Sequence, residues 1–384
     1  MENLFNYNWE LCKLKEITER VKGNDGRMDL PTLTISASQG WLNQKDRFSG
    51  NIAGKEQKNY TLLLKNELSY NHGNSKLAKY GAVFSLKTYE EALVPRVYHS
   101  FKSTKNSDPD FLEYIFATKK PDKELGKLVS SGARMDGLLN INYDDFSNIK
   151  INIPHVHEQK KISNLLRKID DTIALHQRKL DQLKELKKAY LQLMFPKKDE
   201  TVPQVRFANF EENWELCKLE NIIEKQIKGK AKVENLCNGS VEYLDANRLN
   251  GGKPIYTKAL PDVSERDIII LWDGSKAGKV YYGFKGVLGS TLKAYQLKEC
   301  ANSQFIYQQL LDNQNNIYNN YRTPNIPHVV KNFSSIFPIW MTSFEEQSQM
   351  ADILSNLDNR IILQQNLTDT MISLKNSYLQ NMFI

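Results

Sequence analysis

Two long stretches of the chain carry apolar residues at alternating steps of four and three positions. They span residues 158–195 and 346–383. In the first stretch the stepped positions are Ile162, Leu166, Ile169, Ile173, His176, Leu180, Leu183, Lys187, Tyr190 and Met194. In the second they are Met350, Leu354, Leu357, Ile361, Gln364, Thr368, Met371, Lys375, Tyr378 and Met382. A seam sustained over this length predicts two long helices of the coiled-coil type.

Polar residues interrupt the two seams at matching places. His176 matches Gln364, and Lys187 matches Lys375. Such residues fix the register of paired helices. Because a buried ammonium group is costly, we expect both lysines to extend along the helices and reach water at the edge of the bundle.

The chain is a tandem of two units with similar ends and different centres. Residues 158–195 align without a gap on 346–383, an offset of 188, and the heptapeptide NWELCKL occurs at 8–14 and again at 213–219, an offset of 205. Each unit therefore has a start signature, a variable middle and a long helix. The dissimilar middles fit either one scaffold that carries two specificities or neutral divergence after duplication.

Strand-like patterns in both middles are followed by a short helical pattern. The strand predictions are 30–38, 60–71, 79–89 and 95–103 in the first middle, and 241–249, 267–274, 279–286 and 290–299 in the second. Helices are predicted over 108–119, with Asp108 as N-cap before Pro109, and over 303–313. Each middle is thus expected to be a mixed α/β domain.

The linker between the units favours an antiparallel arrangement of the long helices. A helix of 38 residues is about 57 Å long, and the 17 residues of the linker, 196–212, reach about 56 Å only when fully extended. A parallel pair would need that full extension. The predicted fold class is therefore α+β, with two mixed α/β domains separated by two long antiparallel coiled-coil helices in a pseudo-two-fold tandem repeat.

This architecture gives five segments and a place for the start signature. They are a first domain at 1–154, a first long helix at 155–195, a linker at 196–212, a second domain at 213–340 and a second long helix at 341–384. Trp9 and Trp214, with Leu11 and Leu216, are expected to pack near the end of the opposite helix and close the ring.

Apolar residues outside the seams also occur in equivalent pairs. These pairs are Leu165 with Ile353, Leu175 with Leu363, Leu186 with Leu374, and Leu191 with Leu379. One narrow stripe cannot bury them all. They need a second surface, which is supplied either by the globular domains of the chain or by helices of partner subunits.

Composition restricts the class of protein. Apolar residues make up 40% and charged residues 25% of the 384 positions, as in soluble globular proteins. The longest apolar runs, 267–272 and 335–341, are too short to span a bilayer. The N-terminus lacks a secretory signal pattern, so a cytoplasmic protein with no membrane association is expected. The formal charge of +7 permits a polyanionic partner without requiring one.

The sequence contains no recognisable catalytic or metal-binding motif. GSKAGKV (274–280) lacks the spacing and the final Ser or Thr of a phosphate-binding loop, and is better explained as a glycine turn between strands. His155 and His157 form an isolated pair, and the four cysteines include no CxxC. We therefore expect no catalytic residues, no metal site and no cofactor bound by this chain.

Several segments together resemble the specificity subunit of type I restriction-modification enzymes. They are IPHVHEQKKISNLLRKID (153–170), the ending YLQLMF (190–195) repeated as YLQNMF (378–383), and LDANRLNGG, LWDGSKAG and GVLGSTLKAY in the second middle. The resemblance covers nearly the whole chain. One departure is that VPQVRFANFEE (202–212) precedes the second signature, whereas MENLFNY (1–7) precedes the first. Either a family-typical leading segment is lacking or recombination has altered the start.

The resemblance implies a non-catalytic subunit of an adenine-specific DNA methyltransferase and type I site-specific endonuclease. Each middle would be a target recognition domain for one half of a bipartite double-stranded DNA sequence, and the helices would set the spacer. The implied partners are two methyltransferase (modification) subunits, which carry S-adenosylmethionine, and two restriction/translocase subunits, which use ATP and magnesium. The alternative is an interaction scaffold, or an inactive specificity subunit that binds modification subunits without productive DNA targeting.

Loop residues with base-reading chemistry are the candidates for DNA contact. Asn and Arg make bidentate bonds to adenine and guanine, while Lys more often contacts phosphate. In the first domain the candidates are Gln39, Lys45, Arg47, Asn71, Asn74, Ser75, Lys76 and Arg134. In the second they are Asn247, Arg248, Ser275, Lys276, Arg322, Asn325 and His328.

Overall fold

The computed structural model describes residues 8–48, 54–129, 137–197, 200–233, 238–325 and 327–383. The chain forms two compact units. Unit 1 comprises Met1–His176 and Leu367–Ile384, and unit 2 comprises Gln177–Asn366. Both long helices are divided between the units, so each unit contains one variable middle and a segment of each helix.

The elements of the first middle lead into the first long helix. Its strands are β1 (Glu10–Lys13), β2 (Thr18–Val21), β3 (Leu33–Ser36), β4 (Gly40–Asn43), β5 (Thr61–Leu64), β6 (Leu68–Asn71), β7 (Ala82–Ser85), β8 (Glu91–Val94), β9 (His99–Ser103) and β10 (Lys150–Ile153). Its helices are α1 (Leu14–Ile17), α2 (Gln44–Phe48), α3 (Pro109–Ala117), α4 (Asp122–Leu128), α5 (Tyr143–Ser147) and the long α6 (Val156–Leu193), with a 3₁₀ helix at Gly54–Asn59.

The second middle has a comparable set. Its strands are β11 (Glu215–Lys218), β12 (Ile223–Lys228), β13 (Val241–Leu244), β14 (Ile255–Thr257), β15 (Ile268–Leu271), β16 (Val280–Tyr281), β17 (Val287–Leu288), β18 (Leu292–Leu297) and β19 (Pro338–Met341). Its helices are α7 (Ala246–Leu249), α8 (Ser303–Asp312), α9 (Gln314–Asn320), α10 (Phe333–Ile336) and the long α11 (Phe344–Asn381), with a 3₁₀ helix at Leu219–Ile222.

The main sheets of the two units have the same topology. In unit 1 the strand order is β2-β9-β6-β7, and in unit 2 it is β12-β18-β15-β16. Every neighbouring pair in both sheets is antiparallel. The middles therefore share a framework, although their sequences show little similarity. This agreement confirms the tandem α+β architecture.

The helix segments run antiparallel within each unit. In unit 1, Ile162 and Leu166 of α6 belong to the core cluster against which Met382 near the end of α11 packs. In unit 2, Met194, just beyond α6, shares a cluster with Met350 of α11. Several seam residues, such as Leu180 and Leu354, are fully buried, as expected of paired amphipathic helices.

Both seam lysines form ion pairs, and only one of them is buried. In unit 2, the Lys187 ammonium lies 2.6 Å from Asp358 Oδ1, and Lys187 is buried. In unit 1, the Lys375 ammonium lies 2.6 Å from Asp170 Oδ1, and 26% of the Lys375 side chain is exposed. A short helix completes each triad, because Gln308 of α8 donates to Asp358 and Tyr114 of α3 donates to Asp170. The prediction that the lysine reaches water was wrong for Lys187, because it ignored the carboxylate on the facing helix.

The repeated signature forms a strand that pairs with the strand immediately before the long helix. β1 pairs with β10, placing Cys12 opposite Ile151, and β11 pairs with β19, placing Cys217 opposite Ile339. The first and last strands of each middle thus meet in a two-stranded sheet. This pairing explains why the two repeats occur together at both ends of a variable segment.

The signature tryptophans pack at the helix ends as predicted, but the signature leucines do not. The Trp9 ring lies 6.2 Å from Phe383, and the Trp214 ring lies 5.9 Å from Phe195. Leu11 and Leu216 are 63% and 54% exposed. Cys12 and Cys217 pack against the cores of their units. Side chains alternate along a strand, so the adjacent leucines lie on the outer face of the two-stranded sheets, and the prediction for them was wrong.

A glutamine near the start of each long helix fixes the adjoining short helix. Gln159 accepts a hydrogen bond from the backbone N–H of Asp108, the N-cap of α3, over 3.0 Å. Gln347 accepts the same bond from Asn302, the N-cap of α8, over 2.8 Å. Both glutamines also donate to the residue that follows the last strand of the middle, Pro154 or Thr342.

The glutamate before each glutamine is buried but has different surroundings in the two units. In unit 2, Glu346 forms two hydrogen bonds with the guanidinium of Arg206, over 2.7 and 2.9 Å, and accepts a third from Thr342. In unit 1, Glu158 is 1% exposed, and its Oε2 has no hydrogen-bond partner among the described residues. Burial raises the pKa of Glu158.

Two strand predictions were wrong in detail. Residues 60–71 form two strands instead of one, because the chain turns at Asn66, which has a positive φ of 68°. The strand over 241–249 ends at Leu244, after which Asp245 caps α7 by accepting from Arg248 N. The Asp108 cap of α3 was correct, since its carboxylate accepts from Phe111 N. No helix in the described ranges has the length and apolar character needed to cross a membrane.

Candidate nucleic-acid interface

A surface cleft of about 910 Å³ lies in unit 1, where β3 and α2 meet the loop between β6 and β7. Five of the predicted DNA-contact residues line it together: Arg47, Asn71, Asn74, Ser75 and Lys76. Residues separated by more than 20 positions in the sequence therefore form one surface. The cleft combines a guanidinium, an ammonium, amides and a hydroxyl, which together can bond to base edges and phosphates.

The side chain of Asn71 orients the loop of this cleft. Its amide nitrogen donates to Ile35 O over 3.3 Å, and its carboxamide oxygen accepts from Gly73 N over 3.1 Å. The chain returns at Gly81, which has φ +86° and where a Cβ would lie 2.4 Å from Asn71 O. The more exposed Asn74, Ser75 and Lys76 are thereby presented on a fixed backbone.

Three further predicted residues of unit 1 have other positions. Gln39 follows the cleft residue Ser38 in the turn between β3 and β4 and is exposed. Lys45 lies on α2 and is exposed, but is not among the cleft residues. Arg134 lies outside the described residues.

A pair of stacked histidines supports the cleft loop from below, and no sequence pattern selected it. His72 is buried, with Nδ1 2.6 Å from Leu139 O and Nε2 2.9 Å from Val97 O. Both ring nitrogens therefore lie within hydrogen-bonding distance of a backbone carbonyl. The His99 ring stacks on it at 4.9 Å, and burial lowers the pKa of His99 to about 4. His72 thus ties the loop to two other segments.

In unit 2 the loop between β15 and β16 forms one surface with residues 321–325 and 327–328. Asp273 pairs with His328 through a β-bridge, and Gly274 N donates to Pro327 O over 3.0 Å. The Arg322 guanidinium donates to Ser275 O over 3.2 Å and lies 4.8 Å from the Tyr318 ring. The structure therefore brings together the predicted residues Ser275, Arg322 and His328.

The remaining predicted residues of unit 2 divide into two groups. Lys276 and Asn325 lie in these two loops and are exposed. Asn247 and Arg248 lie on α7, which follows a strand of a different, three-stranded sheet. The Arg248 guanidinium is ion-paired with Glu242 and lies 6.0 Å from the Phe284 ring. Contact between Arg248 and DNA would therefore compete with an existing ion pair.

The chemistry available at both surfaces is hydrogen bonding and charge attraction. Within the described ranges, no group of three His, Cys, Asp or Glu side chains is placed to hold a metal ion. The segment 274–280 is a turn between two antiparallel strands, as predicted, with positive φ at Gly274 and Gly278.

Matching leucines are exposed on the long helices to nearly equal extents. Leu175 and Leu363 are 62% and 61% exposed, and Leu186 and Leu374 are 41% and 40% exposed. The other predicted pairs differ, since Leu191 is buried while Leu379 and Ile353 pack against the cores of their own units. Leu165 is 38% exposed. Globular domains of the chain thus cover part of the set and leave two symmetric pairs uncovered.

Comparison with known proteins identifies the family. The model of the type I restriction modification DNA specificity domain matches residues 6–185 and 211–371. The specificity subunit of the type I restriction enzyme MjaVIII from Methanocaldococcus jannaschii is 32% identical over 173 residues, which are 43% of this chain and 40% of that protein. The matched region therefore spans less than half of this curated relative.

Solved structures share the fold. The S subunit of a type I restriction-modification system from M. genitalium aligns with a TM-score of 0.70 and 16% identity, covering 100% of this chain and 98% of that one. A chain from a study of complex assembly and conformational transition of the type I R-M system aligns with a TM-score of 0.52 and 12% identity, covering 99% and 98%. Because the family model matches most of the sequence in two tandem copies, this chain belongs to the family of type I restriction modification DNA specificity domains.

Proposed function

We propose that this protein is the sequence-recognition subunit of a type I restriction-modification complex, in which each unit recognises one half of a bipartite DNA target. The observation that carries the proposal is the position of the variable loops. In both units one candidate loop follows the equivalent strand of the four-stranded sheet: the loop with Asn74, Ser75 and Lys76 follows β6, and the loop with Ser275 and Lys276 follows β15. The framework is constant and the loop sequences differ, as two half-sites of different sequence require.

The composition of the loops supports direct recognition of bases. Asn74, Ser75 and Lys76 in unit 1, and Ser275 and Lys276 in unit 2, are exposed. Side chains of these types bond to base edges and phosphates in the major groove. Positioning by His72 and Asn71 in unit 1, and by Arg322 in unit 2, limits the entropy lost when these loops bind.

Methyltransferase subunits are the proposed partners of the long helices. The two uncovered pairs, Leu175 with Leu363 and Leu186 with Leu374, present equal apolar surfaces at positions related by the internal repeat. Equivalent surfaces bind equivalent partners, so we propose two copies of one subunit. That subunit would bring S-adenosylmethionine and the methyl-transfer chemistry, while restriction subunits would use ATP and magnesium.

Recognition can be tested by co-expressing the chain with its cognate methyltransferase subunits and sequencing the methylated adenines of the host genome. The expected result is a single bipartite motif. Formation of the complex without any new methylation would favour the alternative, a scaffold that binds modification subunits without productive targeting.

The assignment of one half-site to each unit has a sharper test. Alanine at Asn74, Ser75 and Lys76 should relax or abolish one half of the motif, since each good bidentate contact contributes about 1–3 kcal/mol of discrimination. Alanine at Ser275 and Lys276 should affect the other half only. If both variants alter the same half, the assignment is wrong.

Docking can be tested by native mass spectrometry of the complex. Leu175→Arg should displace one methyltransferase subunit, and the double variant with Leu363→Arg should displace both. Leu260→Arg is the matched control, because Leu260 is an exposed leucine in the loop between β14 and β15 and not on a long helix. Unchanged stoichiometry in the double variant would contradict the docking proposal.

The helices are also proposed to set the spacer between the half-sites. Insertion or deletion of residues in α6 and α11 should change the length of the spacer and leave both half-site sequences unaltered. Altered half-sites with an unchanged spacer would contradict this role.

A further inference from the structure

Two lysines lie directly opposite each other on neighbouring strands of unit 2. Lys228 at the end of β12 pairs with Lys293 of β18 in the antiparallel register. Like charges placed directly opposite across a ladder are destabilising. Neither residue is among those selected from the sequence, because the register that brings them together is a property of the fold.

The equivalent strands of unit 1 pair opposite charges instead. On β2 and β9, Glu19 lies opposite Lys102, and their charged groups are 3.1 Å apart. The Glu19–Lys102 pair lies toward the other end of its ladder than the lysine pair does, but it shows that strands of this order accommodate a neutralised cross-strand pair. The lysine pair of unit 2 is therefore an unfavourable local arrangement that needs a compensating partner.

The position of Lys293 is fixed next to the candidate interface. Its ammonium lies 3.3 Å from the centroid of the Trp272 ring, a cation–π contact. Trp272 leads directly into the loop that carries Ser275 and Lys276. Burial and the neighbouring Lys228 lower the pKa of Lys293, while Asp273 opposes that shift.

More positive charge follows on the same edge strand. Lys230 and Lys232 come directly after β12, and Ala231 between them forms a β-bridge with Gly289. The segment 225–232 holds four lysines and no acidic residue. A cationic surface thus extends from the candidate loops of unit 2 to the edge of its main sheet.

We propose that Lys228 and Lys293 form a phosphate clamp that holds the DNA backbone beside the base-recognising loops of unit 2. The inference rests on the proposed function and deepens it, because it assigns the backbone contact of that site. A phosphate between the two ammonium groups converts their repulsion into two favourable interactions. Contacts of this kind position a duplex without reading its sequence.

The test measures DNA affinity of the full chain in complex with its methyltransferase subunits, over a range of salt concentrations. Two duplexes are used, one with the methylated motif and one with a scrambled motif. In Lys293→Gln and Lys228→Gln the slope of log affinity against log salt should each become shallower by about 1. Both duplexes should lose affinity by the same factor, and the methylated motif should not change.

Lys298→Gln is the matched control, since Lys298 follows the opposite end of β18, and its slope should equal that of the wild type. Lys228→Glu separates binding from folding. It places opposite charges across the ladder in place of like charges, so the melting temperature should rise while DNA affinity falls.

The outcomes distinguish failure of the phosphate clamp from failure of the proposed DNA-recognition function. An unchanged salt slope in both glutamine variants, or a changed motif, would overturn the phosphate clamp. A wild-type complex that does not distinguish the two duplexes would overturn the proposed function itself, and the clamp with it.

Discussion

Glu158 and Glu346 occupy equivalent positions at the start of the two long helices, and both are buried. Arg206 and Thr342 surround Glu346 with hydrogen-bond donors. Pro154 replaces Thr342 at the equivalent position of unit 1. Among the residues that the structure describes, the carboxylate is thus satisfied in unit 2, whereas Oε2 of Glu158 lacks a hydrogen-bond partner in unit 1. The hydrogen-bond donors that surround Glu346 in unit 2 are therefore not repeated among the described residues around Glu158.

The difference shows how the internal repeat tolerates a local defect. Gln159 and Gln347, the neighbours of the two glutamates, keep identical bonds to the N-caps of α3 and α8. The function of the helix start in fixing the short helix is therefore independent of the glutamate. We expect the glutamates to affect the stability of each unit more than its geometry.

The largest loss of stability is expected when the arginine that binds the buried glutamate of unit 2 is removed. Arg206→Met leaves Glu346 without its ionic partner, and breaking a buried ion pair costs about 3–5 kcal/mol. Hydrogen exchange followed by mass spectrometry should show faster exchange in β11 and β19 of unit 2, with β1 and β10 of unit 1 unchanged. Equal exchange in both units would remove the basis of the comparison.

At the equivalent position of unit 1, a substitution is expected to raise the stability instead of lowering it. Glu158→Met replaces an unsatisfied buried acceptor with an apolar side chain of similar length, and should stabilise unit 1 by about 1–3 kcal/mol. Chemical denaturation of this variant measures the gain. Glu346→Met is the matched control and should destabilise unit 2, because it leaves Arg206 unpaired. A loss of stability in both variants would show that Glu158 has a partner.

A smaller effect is expected from the hydroxyl that only unit 2 possesses. Thr342→Val removes a hydrogen bond to Glu346 with little change of shape. Hydrogen bonds to charged groups contribute about 1.5–3 kcal/mol, and the remaining bonds from Arg206 should hold the loss near the lower value. Thermal unfolding of the variant measures it. A neutral result would assign the difference between the units to Arg206 alone.

The smallest effect concerns pH. Burial raises the pKa of Glu158 in the folded state above its ordinary value of 4.5, although the nearby Lys161 opposes the shift. The folded state therefore binds the proton more tightly than the unfolded state. The stabilisation from that proton is complete below pH 4.5 and is lost as the pH rises through the folded-state pKa.

It follows that the stability advantage of Glu158→Met over the wild type should grow as the pH rises from below 4.5 toward neutrality. Denaturation curves of both proteins at several pH values provide the measurement. An advantage that is constant over this range would show that Glu158 does not titrate in the folded state within it.

The fold could be predicted largely from periodicity and the repeats. The seams predicted the first and last residues of both long helices to within two positions. Asp108 with Pro109 predicted the start of α3. Where prediction failed, tertiary contacts were responsible. Lys187 was expected to reach water, because the sequence does not show that Asp358 faces it on the other long helix.

The candidate site was predictable only in part. Arg47 and Lys76 were predicted from their side-chain types. Nothing in the sequence showed that α2 places Arg47 in the same cleft as Lys76. Lys228 and Lys293 depend on strand register, which is undetermined until the sheet order is known. His72 has the appearance of one more polar loop residue, and its role depends on two distant carbonyls.

The pairing of the first with the last strand of each middle has an evolutionary consequence. β1 is joined to β10, and β11 to β19, in registers that place equivalent residues opposite each other. The segment between the paired strands can be exchanged without altering the strand junction, provided that it keeps a short helix whose N-cap donates to Gln159 or Gln347. Genetic recombination at the repeated ends would thus install a new specificity in a single event, as a cassette, and leave the assembly surfaces of the helices as they were.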